Sequence, residues 1–166
     1  RDGAAIHGLR HPNIVRAIDL DPYADPPYLI MEYVDGPSLR QVIDAHPGGL
    51  PVETVLPILL GVLSALQAAH EAGLIHSDIK PGNILIASGT DLGNVAPEQV
   101  KVADFGLGRQ THSTVGEILQ SGSISAEDGQ RISGTLAYMS PEQREGQPVD
   151  ARTDLYALGV VLHEIF

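Results

Sequence analysis

The run HSDIKPGNILI, residues 76–86, crowds His76, Asp78, Lys80 and Asn83 between two apolar stretches. A helical apolar pattern ending at Gly73 and a short LIH precede it, and the strand-forming ILIA follows it. The four polar residues therefore sit on a loop braced by buried elements on both sides. Loops held this way often carry chemistry. Taken alone, a solvated turn broken by Pro81-Gly82 accounts for the stretch equally well, so the rest of the chain has to decide.

At 166 residues, with 43% hydrophobic and 19% charged side chains, the chain has the composition of a globular domain with a sizeable core. It begins at Arg1 and stops at VVLHEIF, inside an apolar pattern with no stop signal. We expect a portion of a larger domain, cut at both ends, with some apolar surface lacking its cover. The net charge of −11 argues against a nucleic-acid partner, which requires a basic surface. With no cysteine, disulfides and thiolate metal sites are excluded, which suits a cytoplasmic protein. The longest uncharged apolar run, 55–69, is interrupted by Pro57 and Gly61 and reads as too short for a membrane span; no signal peptide or anchor is visible. The histidines are scattered, and none is assigned as a metal ligand.

Outward from the loop, residues 1–9 read as a helix end with Ile6 and Leu9 on one face, broken at Pro12. IVRAIDL and YLIMEYV read as an antiparallel pair of strands joined by the turn DPYADPP. Ser38 is a candidate N-cap for the short helix LRQVIDAH. Between Val52 and Ala72, Leu56, Leu59, Leu60, Leu63, Leu66 and His70 recur at helical spacing and predict the main core helix. Pro57 predicts either a kink or a later start. ILIA and VKVA predict a hairpin, 107–140 a long functional segment, and TDLYALGVVLHEIF an apolar helix capped by Thr153 or Asp154.

Beyond the loop stands Asp104-Phe105-Gly106, followed by GTLAYMSPEQ and then DLYALGVVLHEI. In order and spacing, HSDIKPGN, DFG and Ser140-Pro141-Glu142 resemble the catalytic loop, metal-binding DFG and activation-segment end of protein kinases. HPNIV and LIMEYVDG resemble that family's approach to the hinge between its lobes. The resemblance covers essentially the whole chain. It implies an α+β, two-lobed protein-kinase-like fold, truncated, with residues 1–33 ending the smaller lobe and 34–166 forming part of the larger.

Phosphoryl transfer needs a carboxylate to orient the acceptor, oxygen ligands for Mg2+ and cations on the phosphates. The resemblance gives these tasks to Asp78 as the carboxylate that accepts the hydroxyl proton, Lys80 on the transferred phosphate, and Asn83 with Asp104 on Mg2+. For ATP it implies Met31 as gatekeeper, the Glu32 carbonyl and Val34 amide on the adenine edge, Ser38 near the ribose and Leu85 under the ring. His76 and Phe105 would stack behind the site, and the acid that matches Asp154 in the family holds the catalytic-loop backbone, although a helix N-cap alone would also explain that residue. Lys80 and Thr135 match the serine/threonine branch, so the implied partners are ATP and a protein substrate with a Ser or Thr acceptor. The resemblance further suggests bacterial members of the family.

Three positions depart from the pattern or lose its partners. Ser77 stands where most members carry an Arg that binds a phosphorylated activation loop; Arg109 and Arg131 are candidate substitutes, with Ser121, Ser123, Ser125, Ser133 and Thr135 as modifiable hydroxyls. Asp2 falls where the family has a Glu that pairs with a strand Lys. Glu142 lacks the distant Arg that pairs with it in the family, and is expected to be unpaired. The Gly-rich loop and strand Lys do not occur in this sequence, so the chain by itself is expected to be inactive. An active kinase and a pseudokinase that signals by conformation both remain open, separated by whether that Lys lies upstream.

Overall fold

A computed structural model describes residues 9–87, 91–105 and 134–166. The helix end expected over 1–8, Asp2, Gly106, and the segment to residue 133 with Arg109, Ser121, Ser123, Ser125, Arg131 and Ser133 lie outside the described residues. Strands β1 (Ala17–Asp21) and β2 (Tyr28–Met31) pair antiparallel, with Ala17 opposite Met31 and Asp21 opposite Tyr28. The first strand is shorter than its apolar run predicts. Ile14 and Val15 leave it to pair with a later strand, where Val15 N donates to Val102 O at 2.9 Å and Val102 N to Asn13 O at 2.8 Å.

Helix α1 (Leu39–Asp44) starts at the expected cap: Ser38 Oγ accepts from Gln41 N, and the Gln41 side chain returns the bond to Ser38 N. The long helix α2 (Val52–Glu71) begins directly after Pro51, and Pro57 lies inside it without delaying its start. Proline withholds one amide there, from the carbonyl of Glu53 on the exposed side. The face that α2 buries differs from the predicted leucine stripe. Thr54, Val55, Ile58, Gly61, Val62, Ala65, Leu66 and Ala69 are inside, whereas Leu56 and Leu60 are 50% and 49% exposed. Small residues win this face because the neighbouring chain comes very close: a Cβ on Gly61 would lie 2.7 Å from both Pro97 O and Val100 Cβ. With 20 residues and a mean hydropathy of 1.7 over its most apolar 18, α2 is long and apolar enough to cross a membrane, contrary to expectation, yet its inner face packs in the core.

Beyond the loop, the predicted hairpin is present as β3 (Ile84–Ile86) and β4 (Val100–Val102), antiparallel with Leu85 opposite Lys101. Ile84, Ile86, Val100 and Val102 point into the core against α2, while Leu85 and Lys101 share the other, half-exposed face. Helix α3 (Pro141–Arg144) is capped by Ser140. Helix α4 (Ala151–Ile165) starts earlier than predicted, with Asp150 rather than Thr153 or Asp154 as its cap. Both of those residues are buried in its first turn, and Val161 and Ile165 further along complete the core beneath α2.

Filling the contact at Gly61 is expected to cost stability. Gly61→Ala should lower unfolding free energy by about 1–3 kcal/mol through overpacking, measured by denaturant titration of the full-length protein carrying this chain. A variant as stable as the parent would show that α2 and β4 do not approach this closely.

Candidate active site

Residues 76–83 form the loop between α2 and β3, and a short 3-10 turn at Pro81–Asn83 closes it. Its backbone hangs on a carboxylate from α4. Asp154, 1% exposed, accepts from His76 N at 2.9 Å, Ser77 N at 2.8 Å and His70 Nε2 at 2.7 Å. Held in this way, Ser77 adopts φ +68, in the left-handed region that non-glycine residues rarely enter. Local strain of this kind collects at functional sites and needs surrounding bonds to maintain it.

His76 is fully buried and packs edge-on against Phe105, ring centroids 4.4 Å apart. Its Nδ1 accepts from Asp78 N at 3.1 Å and its Nε2 donates to Ala103 O at 2.8 Å, so the ring ties the loop to the residue before Asp104. One acceptor and one donor nitrogen define a neutral imidazole. Burial pushes its pKa below 6.5, although the Ala103 carbonyl and the nearby acidic groups oppose the shift.

The loop brings three of the predicted residues together. Lys80 Nζ lies 3.3 Å from Asp78 Oδ2 and donates to Thr135 Oγ1 at 3.2 Å. Asn83 Nδ2 donates to Asp78 O at 2.8 Å, and Asn83 O accepts from Ala103 N at 2.8 Å. That backbone bond sets Asp104, itself at φ +63, beside the loop. Among the described residues, nothing donates to the Asp104 carboxylate or to Asn83 Oδ1, whose amide nitrogen is already committed. Two hard oxygen donors remain, of the kind that Mg2+ takes together with phosphate oxygens.

Of the remaining predicted residues, Ser38, Leu85 and Glu32 gather around the central Leu85–Lys101 pair of the β3–β4 sheet. Ser38 bridges to Leu85, which sits across from Lys101, and Lys101 Nζ bonds Glu32 Oε1 at 2.9 Å. Met31 ends β2. Among the described residues, neither the Glu32 carbonyl nor the Val34 amide has a hydrogen-bond partner. Leu85 stands outside the apolar core and presents a half-exposed apolar face beside these groups. Ser38 uses its hydroxyl oxygen to cap α1, so any ribose contact would have to share that group.

Four contributors were not anticipated as contacts. Lys101 was legible, since the alternation of VKV puts it on the face of Leu85. His70, Gln143 and the hydroxyl of Thr135 reach the loop only through folding of distant segments. Glu142, expected to be unpaired, accepts from Thr153 Oγ1 at 2.9 Å. Gln143 Nε2 donates to Ser77 O at 2.9 Å. Asp154, which could have been only a cap, is instead the support of the loop.

A family model described as the protein kinase domain matches residues 2–166. A probable serine/threonine-protein kinase of Clostridium perfringens is 39% identical, over 99% of this chain and 21% of its own length. One from Streptomyces coelicolor is 37% identical over 99% of this chain and 23% of its own length. The serine/threonine-protein kinase PknB of Mycobacterium leprae is 38% identical over 99% and 24%. The chain thus spans between a fifth and a quarter of the length of these relatives.

The buried neutral His76 predicts a pH dependence. In the unfolded chain it takes up a proton as pH falls through about 6.5, while the folded protein resists, so stability declines with acidification below that value. The decline due to this residue should approach about 1.4 kcal/mol per pH unit, and His76→Gln should remove it in urea titrations between pH 5 and 7. An unchanged slope in the variant would mean that His76 is protonated in the fold.

Proposed function

This chain belongs to the protein kinase domain family, and we propose that the protein it is part of transfers the γ-phosphoryl group of ATP to serine or threonine hydroxyls of proteins. The observation that supports this most is the loop itself. Asp78, Lys80 and Asn83 are mutually bonded, and Asp104 is brought beside them by the Asn83–Ala103 backbone bond. In this reading residues 1–33 belong to the smaller lobe, 34–166 to the larger, and the site faces the cytoplasm, where ATP is the donor.

Each group has a task suited to its chemistry. Asp78 orients the acceptor hydroxyl and takes its proton as the bond to phosphorus forms. Lys80, already beside Asp78, supplies a cation for the transferred phosphoryl oxygens. Its bond to Thr135 links that cation to the segment a protein substrate would meet. Asn83 Oδ1 and the Asp104 carboxylate would hold Mg2+, which supplies charge neutralisation on the phosphates. The Glu32 carbonyl and Val34 amide offer one acceptor and one donor to the adenine edge, with Leu85 as the apolar floor, Met31 at the rear and Ser38 towards the ribose.

The roles separate experimentally in the full-length protein. Asp78→Ala should lower phosphotransfer by roughly 10²–10⁴-fold and leave Mg-ATP affinity unchanged, whereas Asp104→Ala should weaken that affinity. Equal nucleotide affinity in the two variants, measured by titration, would contradict the assignment. Nucleotide binding by the parent protein with no transfer to any protein acceptor would favour a module that signals by conformation.

A further inference from the structure

We propose that Gln143 is a positioning residue for Asp78, acting through the Ser77 carbonyl; this rests on the phosphotransfer reading of the loop. The peptide unit that joins Ser77 to Asp78 is held at both of its polar atoms. Its carbonyl oxygen accepts from Gln143 Nε2 at 2.9 Å, and its N–H, that of Asp78, donates to His76 Nδ1 at 3.1 Å. On the other side of Ser77, the amide donates to Asp154 Oδ1 at 2.8 Å. The backbone of this left-handed residue is therefore restrained on both sides of its Cα, and Gln143 supplies the restraint on the side that leads to Asp78.

The carboxamide of Gln143 is itself oriented. Its Oε1 accepts from Ser140 N at 3.0 Å and from Ser140 Oγ at 3.3 Å, which turns Nε2 towards Ser77. The same residue completes the cap of α3, because Gln143 N donates to Ser140 Oγ. Gln143 thus serves two ends, a helix cap and a loop carbonyl separated from it by 66 residues. A cap alone would be served as well by glutamate, which accepts the same bond from Ser140 N but has no N–H to give. The donor half of the amide has its use at Ser77. The contact is uncharged, and together with the Lys80–Thr135 bond it joins the 135–143 segment to the loop.

Gln143→Glu separates the two functions in the full-length protein. It keeps the acceptor for the α3 cap and sets a carboxylate oxygen against the Ser77 carbonyl. We expect kcat to fall by on the order of 10- to 100-fold, the loss that follows a small misplacement of a reacting group. KM for ATP should change less than about twofold, because the bonds that Gln143 makes to Ser77 and Ser140 reach groups that the proposal does not place on the nucleotide. The ratio of variant to parent kcat should recover as pH is lowered, since protonation of the carboxylate introduced by Gln143→Glu restores a donor towards Ser77. Gln143→Met, of similar length and without a donor, should lose kcat without that recovery. Parent-like kcat in Gln143→Met, or a loss in Gln143→Glu that does not recover as pH is lowered, overturns the inference while leaving the function intact. A parent protein without phosphotransfer overturns both.

Discussion

Asp154 is the constraint on which the described structure turns. A buried carboxylate is costly unless its oxygens are bonded, and this one satisfies them with two consecutive loop amides and an imidazole. Hydrogen bonds to a charged group contribute about 1.5–3 kcal/mol each, enough to hold Ser77 in a conformation that costs on the order of 1–3 kcal/mol. The bonds also join three elements: His70 near the end of α2, the loop after it, and the first turn of α4. Since α2 and α4 carry much of the apolar core of the described residues, the loop is referenced to that packed core.

From that anchor the site is transmitted by short, direct links. His76 fixes Ala103, Asn83 fixes the same residue from its other side, and Asp104 follows. The β3–β4 sheet then runs from these groups to Leu85 and Lys101, and Lys101 reaches Glu32, so one small hairpin links the residues proposed for the phosphates to those proposed for the adenine ring. Burial of Ile84, Ile86, Val100 and Val102 against α2 keeps the hairpin in register, because a one-residue slip would turn these side chains outward and Lys101 inward. The function proposed for the chain therefore rests on packing as much as on the polar groups.

Much of this was legible in the sequence, and the rest was hidden for definable reasons. Alternation in ILIA and VKVA, the Ser38 cap and the helical spacing after Pro51 are local signals, and each element formed where those signals lie. The buried face of α2 was misread because the helix is apolar nearly all round; its phase is set by the approach of Pro97 and Val100 to Gly61, which no local pattern encodes. Asp150, Thr153 and Asp154 are all competent caps. Only the placement of the loop 77 residues earlier explains why Asp154 is turned inward while Asp150 caps. The loop's residue types pointed to its chemistry, but the bonds from His70, Thr135 and Gln143 depend on chain segments brought together by the fold.

The most direct test of this account is hydrogen exchange in the full-length protein with Asp154→Asn. The amide keeps one oxygen and places an NH2 where the other accepts, so at least one of the donors from His70, His76 and Ser77 loses its partner. Peptides covering residues 74–80 should exchange markedly faster than in the parent, with phosphotransfer reduced, while the β1–β2 hairpin exchanges as before. Unchanged protection across the loop would contradict the claim that this carboxylate holds the site in place.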